Sequence, residues 1–139
     1  MGAFATKEFC SILEPGDHGS TFGGNALTTA AGSAAAKVIV DENISALANE
    51  TGAYFQGKLN ALAEKYDFIT EVRGMGLLIA VEMSKEIAAA TVTASLPEGL
   101  LMNAVRPNMI RFMPPLNVTR DEIDEAVAIL DNVLEETGA

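Results

Sequence analysis

Cysteine, histidine and basic residues are all scarce in this chain, and each scarcity closes off a class of function. Of 139 residues only Cys10 is a cysteine, so no internal disulfide can form and no cysteine-rich zinc site can be built. A lone thiol fits a reducing compartment. Nine Lys and Arg stand against 19 Asp and Glu, a formal net charge of -10, and no basic cluster or stripe relieves that excess. Nucleic acid and anionic membrane are poor partners for such a surface. Any bound anion has to be held by local geometry. Long apolar runs are missing as well. The longest small-apolar stretch, Ala30 to Val40, is broken by Ser33 and Lys37 and is too short to span a bilayer. The opening MGAFATKEF shows no basic region followed by an apolar run, so the expected setting is cytoplasmic. Walker loops, dinucleotide fingerprints, metal-ligand clusters and nucleophile elbows are absent too.

What remains is a chain of about one domain's length whose 49% apolar content suffices for a core. Thr6-Lys7-Glu8-Phe9 reads as a helix start that Pro15-Gly16 should end. Asn25 can cap a second helix through ALTTAAGSAAAKVIV, whose small residues allow close approach of a neighbouring element. A third helix is expected from about Ile44 to Tyr66, with Ile44, Leu47, Ala48, Thr51, Phe55, Leu59 and Leu62 on one face. The period then changes. Strands are expected near Phe68 to Arg73 and Leu77 to Met83, separated by a break with turn or bulge geometry at Gly74-Met75-Gly76. A short alanine-rich helix from about Lys85 precedes strands at Leu100 to Val105 and Met109 to Met113, the latter with Met109, Arg111 and Met113 on one face. Thr119 to Glu122 forms a capping box for a last helix with Ile123, Val127, Leu130 and Leu134 inward. The sum is an α+β fold, a small, mostly antiparallel sheet packed with helices. No repeat, linker or low-complexity tract divides it.

Candidate chemistry centres on two features. The segment GDHGSTFGGN, residues 16 to 25, is rich in glycine and hydroxyl donors, which suits either a phosphate cradle or a plain surface turn. Arg111 lies within the apolar MIRFMPPL, where a guanidinium is costly to bury unless it meets a carboxylate or phosphate. It is either an anion receptor, or it pairs with one of the chain's own acids or snorkels at a sheet edge. His18 beside Asp17 reads as a hydrogen-bonding loop residue, Cys10 as a small buried hydrophobe, and the six methionines as core filler. A bifunctional ligand would suit two anion sites at opposite ends of one chain.

GDHGSTFGGN followed by a small-residue helix, then VRGMGLLIAVEM, then GLLMNAVRPNMIRFMPPLNVTRDEIDEA, resembles in order and spacing the C-terminal third of the class III aminotransferases. The resemblance covers nearly the whole chain and is greatest to the branch that draws its amino group from N-acetylornithine, with branches acting on ornithine or glutamate semialdehyde as cousins. It implies a type I pyridoxal-phosphate fold, with residues 1–42 ending the large domain and residues 43–139 forming the C-terminal small domain. It implies pyridoxal 5'-phosphate as cofactor, a small-molecule amino acid and 2-oxoglutarate as substrates, a role in arginine biosynthesis, and a homodimer. Thr21 would donate to the cofactor phosphate of the partner subunit, Ser20 would contact the amino-acid substrate, and Arg111 would bind its α-carboxylate through two parallel hydrogen bonds. His18, Gly19, Gly23, Gly24 and Asn25 would shape the loop, and Ala26, where the family usually has proline, is expected to loosen the helix start. By the resemblance, the family's cofactor lysine would fall before residue 1. None of Lys7, Lys37, Lys58, Lys65 or Lys85 stands in its context, so no catalytic residue is assigned, no metal is implied, and the chain alone is expected to be an inactive fragment. Ornithine or succinyl-diaminopimelate as amino donor, and a non-catalytic anion-binding or interaction module that kept the small-domain fold, are the alternatives.

Overall fold

The computed structural model describes residues 21–138, which fall into two compact units, one ending at Asn43 and the other starting at Ile44. The expected helix after Thr6 lies outside the described residues.

In the first unit, helix α1 spans Ala26–Asp41. Its start is set by Asn25, whose side-chain oxygen accepts from the Thr28 amide at 3.0 Å, satisfying one of the four donors a helix leaves unpaired at its N-terminus. The cap forms with alanine at position 26, so proline is not required for this helix to begin. All of α1 is exposed, with Leu27 and Val40 among its apolar side chains open to solvent.

Among the described residues the second unit holds three helices and four strands: α2 (Ile44–Lys65), β1 (Ile69–Met75), β2 (Leu78–Met83), α3 (Ala88–Ser95), β3 (Asn103–Arg106), β4 (Met109–Phe112) and α4 (Arg120–Thr137). The strands form one sheet in the order β1-β2-β4-β3, with every pairing antiparallel. Alternation divides its faces. Ile79, Val81 and Met83 of β2 and Ile110 and Phe112 of β4 are buried together with Phe55, Leu59 and Leu62 of α2 and Ile123, Leu130 and Leu134 of α4. The Phe55 and Phe112 rings meet edge to face at 5.2 Å, and each such buried side chain contributes about 1.5–3 kcal/mol. The capping box is present, with Thr119 and Glu122 bonded reciprocally; the Thr119 backbone and hydroxyl hold the Glu122 carboxyl below its usual range.

Several boundaries differ from the sequence reading for local reasons. The strand expected to stop at Arg73 runs on to Met75, because Gly74 and Met75 keep their pairing with Ile79 and Leu78. The turn is Gly76-Leu77, with Gly76 at the positive φ of 55° that a two-residue hairpin needs, and the irregularity in register falls instead between Ile69 and Glu71. Leu100 bonds back to the Ser95 carbonyl at 3.1 Å, which delays β3 to Asn103. Leu47 is 42% exposed, outside the buried stripe of α2, while Val133 supplements the inward face of α4.

Two features of the core are testable. A Cβ on Gly52 would lie 2.1 Å from the Gly76 carbonyl oxygen, so the α2 backbone rests directly on the β1–β2 turn. Gly57, on the same helix, faces open space. Gly52→Ala is expected to destabilise the chain by about 1–3 kcal/mol through overpacking. Gly57→Ala should stabilise it by about 0.5–1 kcal/mol. Urea unfolding of both variants distinguishes this contact from an effect of helix propensity, which would move them in the same direction.

The second feature ties α2 to α4. Lys65 Nζ lies 2.8 Å from Asp131 Oδ1, and the Tyr66 hydroxyl donates to the same oxygen at 2.7 Å. Burial pushes the Asp131 carboxyl up, but the Lys65 and Tyr66 hydrogen bonds outweigh it and hold it below its ordinary value. A carboxyl with a depressed folded-state pKa contributes stability above the unfolded value of about 3.9 and loses it as the pH falls through the folded one. Asp131→Asn should therefore lower Tm at pH 7, and the gap from the parent chain should close below about pH 4. A gap that persists unchanged at pH 2 would assign the loss to packing.

Candidate functional site

The outer face of the sheet carries charge where its inner face carries core. Ala80 of β2 is opposite Arg73 of β1 on one side and Arg111 of β4 on the other, and Arg111 is in turn opposite Asn103 of β3. Adjacent strands lie about 4.8 Å apart, so the two arginines bracket Ala80 across about 10 Å. The alanine methyl leaves room between them. An open depression of about 300 Å³ lies there, lined by both arginines with Met75, Leu78 and Ala80.

The arginines differ in their partners. Arg73 Nη1 donates to the Glu71 carboxylate and, at 2.6 Å, to Glu82 Oε2; the Glu82 hydrogen bond foremost raises its pKa further above the ordinary arginine value. Its Nη2 lies 3.8 Å from Met109 Sδ. Arg111, half-buried, forms no salt bridge among the described residues, and its buried Nε has no hydrogen-bond partner. An unpaired buried donor costs about 1–3 kcal/mol, more when charged. Among the described residues, the ion pair with the chain's own acids that the sequence allowed is not formed. A carboxylate entering the depression would meet the Arg111 side chain, which lines it.

In the first unit, Thr21 is exposed and its hydroxyl is uncommitted among the described residues, while Asn25 Nδ2 donates to the Phe22 carbonyl at 2.6 Å. Gly24 sits at φ 73° with open space around it. An uncommitted hydroxyl beside an unhindered backbone is a donor set that fits an incoming phosphate. Ser20, His18, Gly19 and Cys10 lie outside the described residues.

The lysines face other tasks. Lys37 pairs with Asp41, Lys58 with Asp124, Lys65 with Asp131, and Lys85 donates to the Gly138 carbonyl. Hydrogen bonds to Asp124 and Asp131 raise the pKa of Lys58 and Lys65, whereas an amine that attacks a carbonyl has to be depressed toward neutrality. No group of three His, Cys, Asp or Glu among the described residues could hold a metal. A second, apolar cavity of about 110 Å³ beside Phe55 and Phe112 has Glu122 as its acidic lining residue, and the capping box already engages that carboxylate. No helix among the described residues is long and apolar enough to cross a membrane.

Sequence reasoning singled out Arg111 and Thr21 but overlooked Arg73. The signal was present in VRGMG, a second arginine in an apolar strand, but its place beside Arg111 depends on strand order.

Comparison with known proteins places this geometry. The chain is 43% identical over 136 residues to the acetylornithine aminotransferase of Caldanaerobacter subterraneus subsp. tengcongensis, covering 98% of this chain and 35% of that protein. Among solved structures it is similar to the acetylornithine aminotransferase of Elizabethkingia anophelis, with a TM-score of 0.77 at 38% identity over 91% of this chain and 34% of that one. It is also similar to the ornithine delta-aminotransferase of Plasmodium falciparum, with a TM-score of 0.81 at 31% identity over 96% of this chain and 35% of the other. The α+β arrangement is thus a fragment of the aminotransferase fold, and the chain spans about a third of the length of the relatives it matches. The profile of the aminotransferase class-III family matches residues 1–134, and the chain belongs to that family.

Proposed function

We propose that this chain is the C-terminal part of a pyridoxal-phosphate-dependent aminotransferase that moves the amino group of N-acetylornithine to 2-oxoglutarate in arginine biosynthesis. The observation that carries the reading is the unpaired guanidinium of Arg111, held at an open depression on a rigid central strand. Amino donor and keto-acid acceptor both present a carboxylate beside the reacting carbon. One receptor therefore serves both halves of the reaction, and its planar fork fixes orientation as well as position. The relatives named for acetylornithine support the donor; the likeness to an ornithine aminotransferase supports free ornithine as the second reading.

Thr21, through its exposed hydroxyl, would hold the cofactor phosphate of a partner subunit in a cytoplasmic homodimer, and Ser20 would contact the substrate. When bound, pyridoxal phosphate supplies an electron sink for the reacting carbon. The chain's own residues bind and orient. In this reading residues 1–42 would end a large domain and residues 43–139 would form a small domain, with no proton-transfer step given to either.

Two outcomes are expected. The chain incubated with pyridoxal phosphate and borohydride should give no unique stoichiometric lysine adduct and no amino transfer, because none of its lysines stands in the family's cofactor-lysine context and Lys37, Lys58, Lys65 and Lys85 are each bonded to an acid or a carbonyl. Mass spectrometric mapping of a single fully modified lysine, with turnover, would overturn the fragment reading. In the holoenzyme containing this segment, Arg111→Lys should lower kcat/KM by roughly ten- to hundredfold, the loss of a charge-assisted hydrogen bond of about 1.5–3 kcal/mol. Its Tm should not fall, since no native partner is lost. Unchanged kcat/KM with a depressed Tm would make Arg111 structural.

A further inference from the structure

Arg111 is unpaired in an acidic chain, and the structure shows what competes for it. Glu82 lies on the same outer face, opposite Met109, two residues before Arg111 on β4. It is thus a diagonal cross-strand neighbour of Arg111, and such positions, about 7–8 Å apart, are within reach of long side chains. A glutamate and an arginine so placed would ordinarily pair.

They do not, because Glu82 is already engaged. Its Oε2 lies 2.6 Å from Arg73 Nη1, and Glu71, directly opposite Glu82, is bound to the same nitrogen. Arg73 reaches from β1 across β2, as its Nη2 contact with Met109 Sδ on β4 shows. Without Arg73 the two facing glutamates would repel, and Glu82 would be driven away from β1 toward the cation on β4.

We infer that Arg73 is a positioning residue for the carboxylate site: by bridging Glu71 and Glu82 it keeps Glu82 off Arg111, and so holds the Arg111 guanidinium open for a ligand. This rests on the reading of Arg111 as a carboxylate receptor. Arg73 lines the same depression, but its Nη1 is committed to Glu71 and Glu82. Its role lies in the arrangement of charge, with one arginine consumed so that its neighbour stays free.

The test separates the two claims. In the full 139-residue chain, labelled with ¹⁵N-arginine, the Nε–Hε resonance of Arg111 is followed during titration with glutarate at constant ionic strength; Arg111→Lys assigns the signal. Glutarate should shift the Arg111 resonance saturably. Arg73→Gln should weaken binding about tenfold, the size of one charge-assisted hydrogen bond, and adding Glu82→Gln to that variant should restore affinity to within about twofold. Rescue by removal of the competing acid is a result that a merely structural arginine would not give. If Arg73→Gln fails to fold, Arg73→Lys keeps the charge but loses the fork that bridges both acids; it should weaken binding less, with the same rescue by Glu82→Gln. Wild-type affinity in the Arg73 variants overturns the inference and leaves Arg111 as receptor. A weakening that Glu82→Gln does not reverse also overturns it. An Arg111 resonance that glutarate leaves unmoved in the parent chain removes the receptor reading and this inference with it.

Discussion

The position of Arg111 is imposed by the two residues that flank it. Ile110 and Phe112 are buried on the inner face of the sheet, Phe112 against the ring of Phe55, and a strand's side chains alternate strictly. A slip of one residue would drive the guanidinium into a core of Leu59, Ile79 and Leu130 and bring two large apolar groups into water. β4 is also paired on both sides, by β2 and by β3, so its backbone has little freedom to relax. Arg111 thus stands on one of the most constrained elements of the second unit. The outer-face row of Arg73, Ala80, Arg111 and Asn103 follows from the register of three ladders that the inner face fixes.

A net charge of -10 opposes anion binding in sum, yet the potential at one guanidinium depends on its immediate neighbours more than on the total. The acids near the cations are engaged: Asp124 with Lys58, Asp131 with Lys65, Glu50 with Arg120, Glu71 and Glu82 with Arg73. Exposed pairs of this kind contribute little stability singly. Their larger effect here is on availability. They raise the pKa of Lys58 and Lys65, and they engage Glu82, the diagonal neighbour of Arg111.

Much of the second unit was legible because its signals are local. The spacing of Phe55, Leu59 and Leu62, the Thr119–Glu122 box and the shared buried face of Ile110 and Phe112 each depend on residues a few positions apart, and each appears where those residues predict, although Met109 on the opposite face is buried as well. The Asn25 cap belongs to the same class. What failed was set by distant contacts. Met75 stays in β1 because β2 is there to pair with it, and Gly52 matters because the Gly76 carbonyl rests on it. Leu47 fits the apolar period of α2 but falls beyond the packed stripe. The partnership of Arg73 with Glu82 combines residues nine apart on antiparallel strands, and its meaning for Arg111 depends on β4 lying beside β2, which no periodicity encodes.

The rest of the polar interior shows that the unpaired Arg111 Nε is not a general looseness of construction. Thr91 is fully buried, yet its hydroxyl donates to the Ile87 carbonyl at 3.0 Å and lies 3.2 Å from that of Thr137. Buried Ser95 bonds the Thr91 carbonyl at 2.8 Å, and the Thr137 hydroxyl bonds that of Val133 at the same distance. The hydroxyls of Thr91, Ser95 and Thr137 each have a partner, as in native interiors. Among the described residues, Arg111 Nε is the buried side-chain donor left without one, and the Arg111 side chain lines a depression on the outer face of the sheet. A deficit confined to one charged group, on a rigid strand and at the surface, is a local cost that a bound carboxylate would offset. The same deficit spread through the core would indicate only poor packing.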